Sequence, residues 1–211
     1  MFPCFDQPDL KAVFKLSIIT NHQWVAATNA PEKRIMFIKQ SGNLSQSDSI
    51  QSQIEDQISI DNSEAQAFIT DNDLDWMLSH FMNLNIIKIY DFFPSEPLPT
   101  YLYTINCGPF KIYEHKNLQE GSPPQRVFQR PNSMKLDPRN VTVLVEKTIK
   151  FYESIFGVKF PFRKLDHVLC PDVRYAAMES AGCITYSEVS LTNKKASEMA
   201  TSERIVFNMI V

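Results

Sequence analysis

The sequence predicts an α+β fold in which a strand-rich part precedes a helix and further strands. Apolar residues alternate at 13–20, 24–28, 35–38 and 86–93, a pattern typical of half-buried strands. A capped amphipathic pattern follows at 137–157. Since 44% of the 211 residues are apolar, the chain can bury a sizeable core, in one large domain or in parts of two.

Charge and hydropathy exclude several classes of partner. The formal net charge is -3 and no cluster of Lys and Arg forms a basic patch, so we expect no binding to nucleic acid. Neither a signal peptide nor a run of about eighteen apolar residues is present, so this segment does not indicate membrane attachment. We therefore expect a cytoplasmic protein.

The spacing of cysteines and histidines predicts no metal site within the chain. The cysteines form no Cys-x-x-Cys pair and are predicted to be buried thiols of an intracellular protein: Cys4, Cys107, Cys170 and Cys183. No two histidines are three to five residues apart; they are His22, His80, His115 and His167. Because phosphate loops and nucleophile elbows are also missing, no catalytic residue is predicted either.

An acidic insert rich in Ser and Gln is predicted at about 43–75. No Lys or Arg lies between Asn43 and Ile87, while Asp and Glu accumulate there. This composition is typical of a solvated loop or a weakly ordered insert. Isoleucines at every fourth position of 50–58 allow a short surface helix within it.

A domain boundary is predicted near 114–125, where the sequence Glu-Gly-Ser-Pro-Pro at 120–124 is typical of a connector. The predicted domains are therefore 1–118 and 119–211. Just before the boundary, a Gly-Pro pair interrupts the apolar pattern of 101–113, which predicts two strands or one bulged strand.

The clearest helix of the sequence begins after Asp137 and ends at Gly157. Asp137 is a suitable N-cap, Pro138 a suitable first helical residue, and glycine a common stop. One face of this helix is predicted to lie in the core, through Val141, Leu144, Val145, Ile149, Tyr152, Ile155 and Phe156. Strands are predicted next, at 160–162 and 165–170.

Glu179 is the candidate binding residue of the following segment. It lies among small and soft residues and precedes an alternating apolar strand, so we expect it at the start of a partly buried sheet edge. A carboxylate near apolar surface is costly unless it meets a cation or hydrogen-bond donors, which favours a positively charged ligand. The alternative is a solvated residue at the end of a loop.

Two segments resemble signatures of the M1 family of zinc aminopeptidases. Residues 176–180 resemble its Gly-Ala-Met-Glu-Asn motif, and residues 2–12 resemble its Phe-Pro-Cys-Phe-Asp-x-Pro-x-x-Lys-Ala segment. The resemblance implies that 1–118 is the carboxy-terminal part of the family's saddle-like amino-terminal β domain. It also implies that 119–211 is the beginning of a thermolysin-like α/β catalytic domain.

The same resemblance implies that Glu179 binds the free α-amino group of a peptide substrate, while the neighbouring backbone pairs with the peptide like an added strand. Ala176, Ala177 and Met178 would provide backbone and wall contacts. Two positions depart from the motif, because Ala176 replaces glycine and Ser180 replaces asparagine. If position 176 required a positive φ, alanine there would be strained.

Zinc is the cofactor that the resemblance implies for the whole protein. A helical pattern at 197–211 would continue into His-Glu-x-x-His, where two histidines bind the metal and the glutamate is the general base. These ligands would lie beyond Val211. The chain as given is therefore expected to bind no catalytic zinc and to hydrolyse no peptide.

The leading hypothesis is that the whole protein is a zinc metallo-aminopeptidase acting on peptides with a free amino terminus. Glu179 would anchor the substrate ammonium, so that only the first peptide bond reaches the catalytic centre. Two alternatives stay open at this point. One is a non-catalytic, truncated homologue that serves as a peptide-binding or scaffold module, and the other is a fragmentary gene product.

Overall fold

The computed structural model describes residues 3–39, 86–115, 120–132 and 137–188. The predicted acidic insert and the helices predicted within it and at 197–211 lie outside the described residues. The chain divides into two compact units. The first comprises Met1–Lys15, Ala26–Pro31 and Phe93–Val211, and the second comprises Leu16–Val25 and Glu32–Phe92.

The second unit contains a three-stranded antiparallel sheet. Its strands are β2 (Ser17–Asn21), β4 (Glu32–Lys39) and β5 (Ile86–Phe92), with β5 in the middle. The buried apolar side chains of the central strand are Ile87, Ile89, Tyr90 and Phe92, and Asp91 is buried as well. The strands predicted for these three segments are confirmed, with shifted ends.

Two short strand pairs lie largely in the first unit. Strand β1 (Lys11–Ala12) pairs with β6 (Leu98–Pro99), and β3 (Val25–Thr28) pairs with β7 (Ile105–Gly108). A single 3₁₀ turn, Thr100–Leu102, separates β6 from β7. Strand β3 ends beside the candidate site, where the carbonyl of its last residue, Thr28, accepts a hydrogen bond.

A five-stranded mixed sheet forms the main layer of the first unit. In spatial order its strands are β11 (Ala177–Met178), β12 (Cys183–Ser187), β10 (Leu165–Cys170), β9 (Gln125–Gln129) and β8 (Lys111–Glu114). The three inner strands run parallel, and each outer strand is antiparallel to its neighbour. Strand β10 has the bounds predicted from the sequence.

The segment around the Gly-Pro pair forms two strands, one of the two predicted forms. Strand β7 ends at Gly108 and β8 begins at Lys111, after Pro109, and the two strands belong to different sheets. The predicted connector at 120–124 lies between β8 and β9, which are neighbours in one sheet. The domain boundary proposed there stays a prediction.

Helix α1 (Pro138–Phe156) packs against the five-stranded sheet. The Asp137 carboxylate accepts a hydrogen bond from the backbone N–H of Arg139, and Gly157 ends the helix at φ 66°. Both capping predictions are confirmed. The packed cluster consists of Val127, Val141, Val145, Ile149, Leu165, Leu169, Ala177, Ile184 and Tyr186.

Two predictions near the end of this helix are wrong. Ile155 and Phe156 are 57% and 59% exposed, because a periodic pattern identifies the apolar face of a helix but not how far the packed surface extends along it. Residues 160–162 form no strand. Instead, the Phe160 N–H donates to the Glu153 carboxylate at 2.9 Å. A side chain of helix α1 therefore accepts the hydrogen bond that a neighbouring strand would accept if Phe160 lay in a sheet.

The cysteines differ in burial. Cys183 is buried, Cys107 and Cys170 are half-buried, and Cys4 is exposed. The prediction of buried thiols is therefore wrong for Cys4, which lies in an exposed, turn-rich segment before β1. Within the described ranges, no helix is both long and apolar enough to cross a membrane.

Candidate functional site

Glu179 directly follows β11, the edge strand of the five-stranded sheet. The Glu179 side chain is exposed. The strand beside it is partly buried, as expected for this sheet edge, but the carboxylate is not. Ala177 packs in the core at 8% exposure, Met178 is half-buried and Ala176 is exposed. The four predicted site residues are thus contiguous at one sheet edge, and Glu179 presents its charge to solvent.

Among the described strands, β11 pairs only with β12, so the other edge of its backbone is unpaired. Ala177 is opposite Tyr186 in the antiparallel pair with β12, and the Ser187 N–H donates to the Ala176 carbonyl at 3.0 Å. Because residues of an antiparallel ladder alternate in direction, Ala176 and Met178 face β12 with their backbone groups. The N–H and C=O of Ala177 therefore point to the open edge.

The turn after Glu179 is held by hydrogen bonds to three successive carbonyls. The Cys183 N–H donates to Ser180 at 3.0 Å, and the Asn29 side-chain amide donates to Ala181 at 2.8 Å. The third carbonyl, that of Gly182, accepts from a lysine and from a backbone N–H, as described below. Glu179 is thus a solvent-exposed carboxylate followed by a fixed backbone.

Asn29, directly after β3, pairs its whole side-chain amide group with backbone groups of this turn and of a second segment. Its NH₂ donates to the carbonyl oxygens of Ala181 and Leu102, and its side-chain oxygen accepts from the Thr104 N–H at 3.0 Å. Asn29 is 7% exposed, and a buried amide costs little only when its groups are paired. The side chain therefore joins three segments that are distant in sequence.

Lys164 is a second side chain that binds the turn after Glu179. Its ammonium donates to the carbonyls of Thr28 and Gly182, the latter at 2.9 Å, and to the Asp166 carboxylate at 2.6 Å. Arg126 binds Asp166 through two further bonds, of 2.7 and 2.8 Å. Burial alone would raise the pKa of Asp166, but these two cations outweigh it and the pKa is lowered.

The two departures from the M1 motif fit locally. Ser180 is buried at 3% exposure, where the shorter side chain is accommodated. Among the described non-glycine residues, only Asp172 has a positive φ, so Ala176 does not carry the strain that a left-handed position would impose. The positive φ in this region belongs to Gly182, at 69°.

His167 is a structural residue of the sheet and not a metal ligand in this arrangement. Its Nε2 lies 3.3 Å from the side-chain oxygen of Gln125 and its Nδ1 lies 3.1 Å from the Tyr186 hydroxyl, so both ring nitrogens have a protein partner. Complete burial lowers the pKa of His167 to about 4. Cys170, three residues later on β10, has its side chain on the opposite face.

The described residues provide no metal centre. Among them, no three His, Cys, Asp or Glu side chains lie close enough together to hold a metal ion. Within the described ranges, the residues therefore do not fit a zinc ion.

Three residues that hold the Glu179 turn were not predicted from the sequence: Asn29, Lys164 and Asp166. Lys164 and Thr28 are 136 residues apart, so no local pattern connects them. A usable signal was present, since Lys164 and Asp166 are charges at the start of the strongly apolar strand β10. Charges in such a strand are rarely buried without a partner.

Family models match both ends of the sequence. The model described as the Peptidase M1 N-terminal domain matches residues 1–44, and that of the Peptidase family M1 domain matches residues 142–211. Together they cover slightly more than half of the chain, and the second includes Glu179.

Curated relatives align along nearly the whole chain. Aminopeptidase A of Gloydius brevicauda is 28% identical over 97% of the chain, and glutamyl aminopeptidase of Bitis rhinoceros is 27% identical over 99%. Aminopeptidase N of Canis lupus familiaris is 25% identical over 97%. The chain spans only 16–17% of the length of these relatives. The two domain matches, supported by these alignments, show that the chain belongs to peptidase family M1.

Proposed function

We propose that the whole protein is a zinc metallo-aminopeptidase that releases amino-terminal residues from peptides, and that Glu179 binds the substrate's free α-amino group. The observation that carries this proposal is the exposed Glu179 carboxylate beside an open strand edge, followed by a turn whose three carbonyls are all hydrogen-bonded. The printed names of the relatives, which are aminopeptidases, support the reaction class.

The carboxylate recognises the amine through charge and hydrogen bonding. An α-amino group with a pKa of roughly 8 is largely protonated near neutral pH, and its N–H groups can donate to both oxygens of Glu179. In water such a contact is weak, but a bound peptide that covers the carboxylate strengthens it by excluding solvent. A blocked amino terminus loses both the charge and the donors.

The open edge of β11 sets the direction of the peptide. The outward N–H and C=O of Ala177 can pair with a substrate backbone as an added strand, and the neighbouring residues Ala176 and Met178 form its wall. With the ammonium held at Glu179, the peptide then extends a fixed distance before its first peptide bond. Exopeptidase selectivity follows from this distance.

Zinc and location belong to the proposal as well. The M1 family is zinc-dependent in general, and we place the ligands of this protein beyond Val211, because 197–211 resembles the family's helix that leads into His-Glu-x-x-His. Peptides with a free amino terminus are the proposed partners. The cytoplasmic location stays a prediction from the composition of the chain.

The test is the kinetics of the whole protein with Glu179 replaced. We expect Glu179→Gln to lower kcat/KM for substrates with a free amino terminus by roughly 10- to 100-fold, since a hydrogen bond to a charged group is worth about 1.5–3 kcal/mol. Glu179→Asp keeps the charge and should retain more activity than the glutamine variant. Unchanged kinetics in Glu179→Gln would remove this residue from the site.

A further inference from the structure

We infer that Lys164 is a positioning residue for Glu179: its ammonium fixes the turn that sets where the carboxylate stands. This inference rests on the proposed function, because it assigns Lys164 a task only if Glu179 binds the substrate amine. Lys164 is not part of the M1 motif at 176–180, because it lies 15 residues before Glu179 in the sequence.

Hydrogen bonds hold the Lys164 ammonium beside the turn that follows Glu179. Its side chain is 5% exposed, and its three acceptors are the carbonyls of Thr28 and Gly182 and the Asp166 carboxylate. An ammonium has three donors, so every one is used. Because two acceptors are backbone carbonyls from different segments, the lysine ties the end of β3 to the turn after Glu179.

The turn has little room to move away from this anchor. A Cβ atom added to Gly182 would lie 2.6 Å from the carbonyl oxygen of Asn29, so the two backbones are in close contact. Asn29 holds the preceding residue, Ala181, through its side-chain amide. The lysine and the asparagine therefore anchor adjacent carbonyls of one turn, within three residues of Glu179.

Removing Lys164 would loosen the turn without leaving an isolated charge. Asp166 keeps its two bonds from Arg126, and the Gly182 carbonyl keeps the Asp166 N–H at 3.1 Å. The Thr28 and Gly182 carbonyls and the Asp166 carboxylate each lose the bond from the ammonium. Lys164→Met, with a similar length and no donors, is thus a suitable probe.

A lysine that only stabilises the core would affect all ligands equally, whereas a positioning residue affects recognition of the amine. The test therefore compares two probes on the whole protein: an amino-acid amide and the same amide without its α-amino group. The ratio of their dissociation constants measures the preference for the amine. It is measured for wild type, Glu179→Gln, Lys164→Met and Val145→Ala, the last a core variant on α1 away from the turn.

We expect the wild type to prefer the amine and Glu179→Gln to lose this preference. Lys164→Met should lower the ratio by roughly tenfold through displacement of Glu179, with little change in affinity for the amide that lacks the amine. Val145→Ala should leave the ratio unchanged.

The outcomes separate the two claims. If Glu179→Gln removes the preference and folded Lys164→Met keeps it, or weakens both probes equally, the inference on Lys164 is overturned and the proposed function stands. If Glu179→Gln also keeps the preference, the proposed function itself fails. Should Lys164→Met not fold, Lys164→Arg decides the case, since it keeps a cation beside Asp166 but changes the geometry of the donors to the Thr28 and Gly182 carbonyls. An unchanged ratio there overturns the inference as well.

Discussion

The ammonium of Lys164 lies 2.9 Å from the carbonyl oxygen of Gly182, which joins the residue before β10 to the turn before β12. These two strands are parallel neighbours, so the contact is made where both begin. Its consequence is that residues outside the recognised motif determine the backbone around Glu179. The predictions below test this arrangement and the sheet that supports it.

The close packing of Gly182 predicts a large effect of Gly182→Ala. The residue has φ 69°, and its added Cβ would collide with the Asn29 carbonyl at 2.6 Å. We expect the free energy of unfolding to fall by at least about 2 kcal/mol, the sum of a positive-φ cost near 1 kcal/mol and a displaced backbone contact. Unfolding in urea measures it.

Gly121→Ala is the matched control for this substitution. Gly121 also has a positive φ, 81°, but nothing lies within 4 Å of an added Cβ. Only the backbone cost of about 1 kcal/mol is expected there. Equal losses in the two variants would show that the contact with Asn29 is not tight.

Burial of neutral His167 predicts that stability falls in acid. Its pKa is about 4 in the folded chain against 6.5 ordinarily, so the unfolded chain binds more protons between these values. The free energy of unfolding should therefore decrease as the pH falls from 6.5 to about 4, by on the order of 3 kcal/mol. Asp166, whose pKa is lowered, loses its contribution only below its ordinary value of 3.8.

The measurement is the free energy of unfolding in urea at several pH values, for wild type and His167→Gln. Tyr186 and Gln125 contact the His167 ring, the charges of Asp166 and Lys164 act on its pKa, and all four residues remain in both proteins. The variant should be less stable throughout but should lose less stability between pH 6.5 and 4. Parallel curves would contradict a neutral buried histidine.

The cysteines should differ in reactivity. Burial raises the pKa of the Cys183 thiol to about 12, whereas Cys4 is exposed. Since the thiolate is the reactive form, iodoacetamide at about pH 8 should label Cys4 in the folded protein and Cys183 only after denaturation. Mass spectrometry of the peptides measures this order. Labelling of Cys183 as fast as Cys4 would mean that the start of β12 opens readily.

The features predicted correctly from the sequence are those that depend on residues close together in the chain. Asp137, Pro138 and Gly157 cap a helix through contacts within a few residues, and these bounds are confirmed. Strand β10 was predicted because a six-residue run rich in apolar residues has a typical strand length and ends directly before Pro171. The strand that comes after Glu179, β12, followed from the alternating apolar residues there, whereas the short strand before it, β11, was not predicted.

The rest depends on contacts that no local pattern contains. Asn29 and Ala181 are 152 residues apart, and the hydrogen bond between them exists only after both segments reach one turn. The exposure of Glu179 also depends on which element covers the sheet edge. For the same reason the exposed end of helix α1 at Ile155 could not be inferred from its period.

The most direct test of the account is hydrolysis of an alanine-type chromogenic substrate by the purified whole protein, beside its N-acetylated form, with zinc content measured on the same sample. The account predicts that a zinc-containing protein cleaves the substrate with the free amine and leaves the acetylated one intact. Cleavage of both at similar rates would contradict recognition of the amine. A zinc-containing protein that cleaves neither would contradict the aminopeptidase assignment and favour a peptide-binding or scaffold homologue.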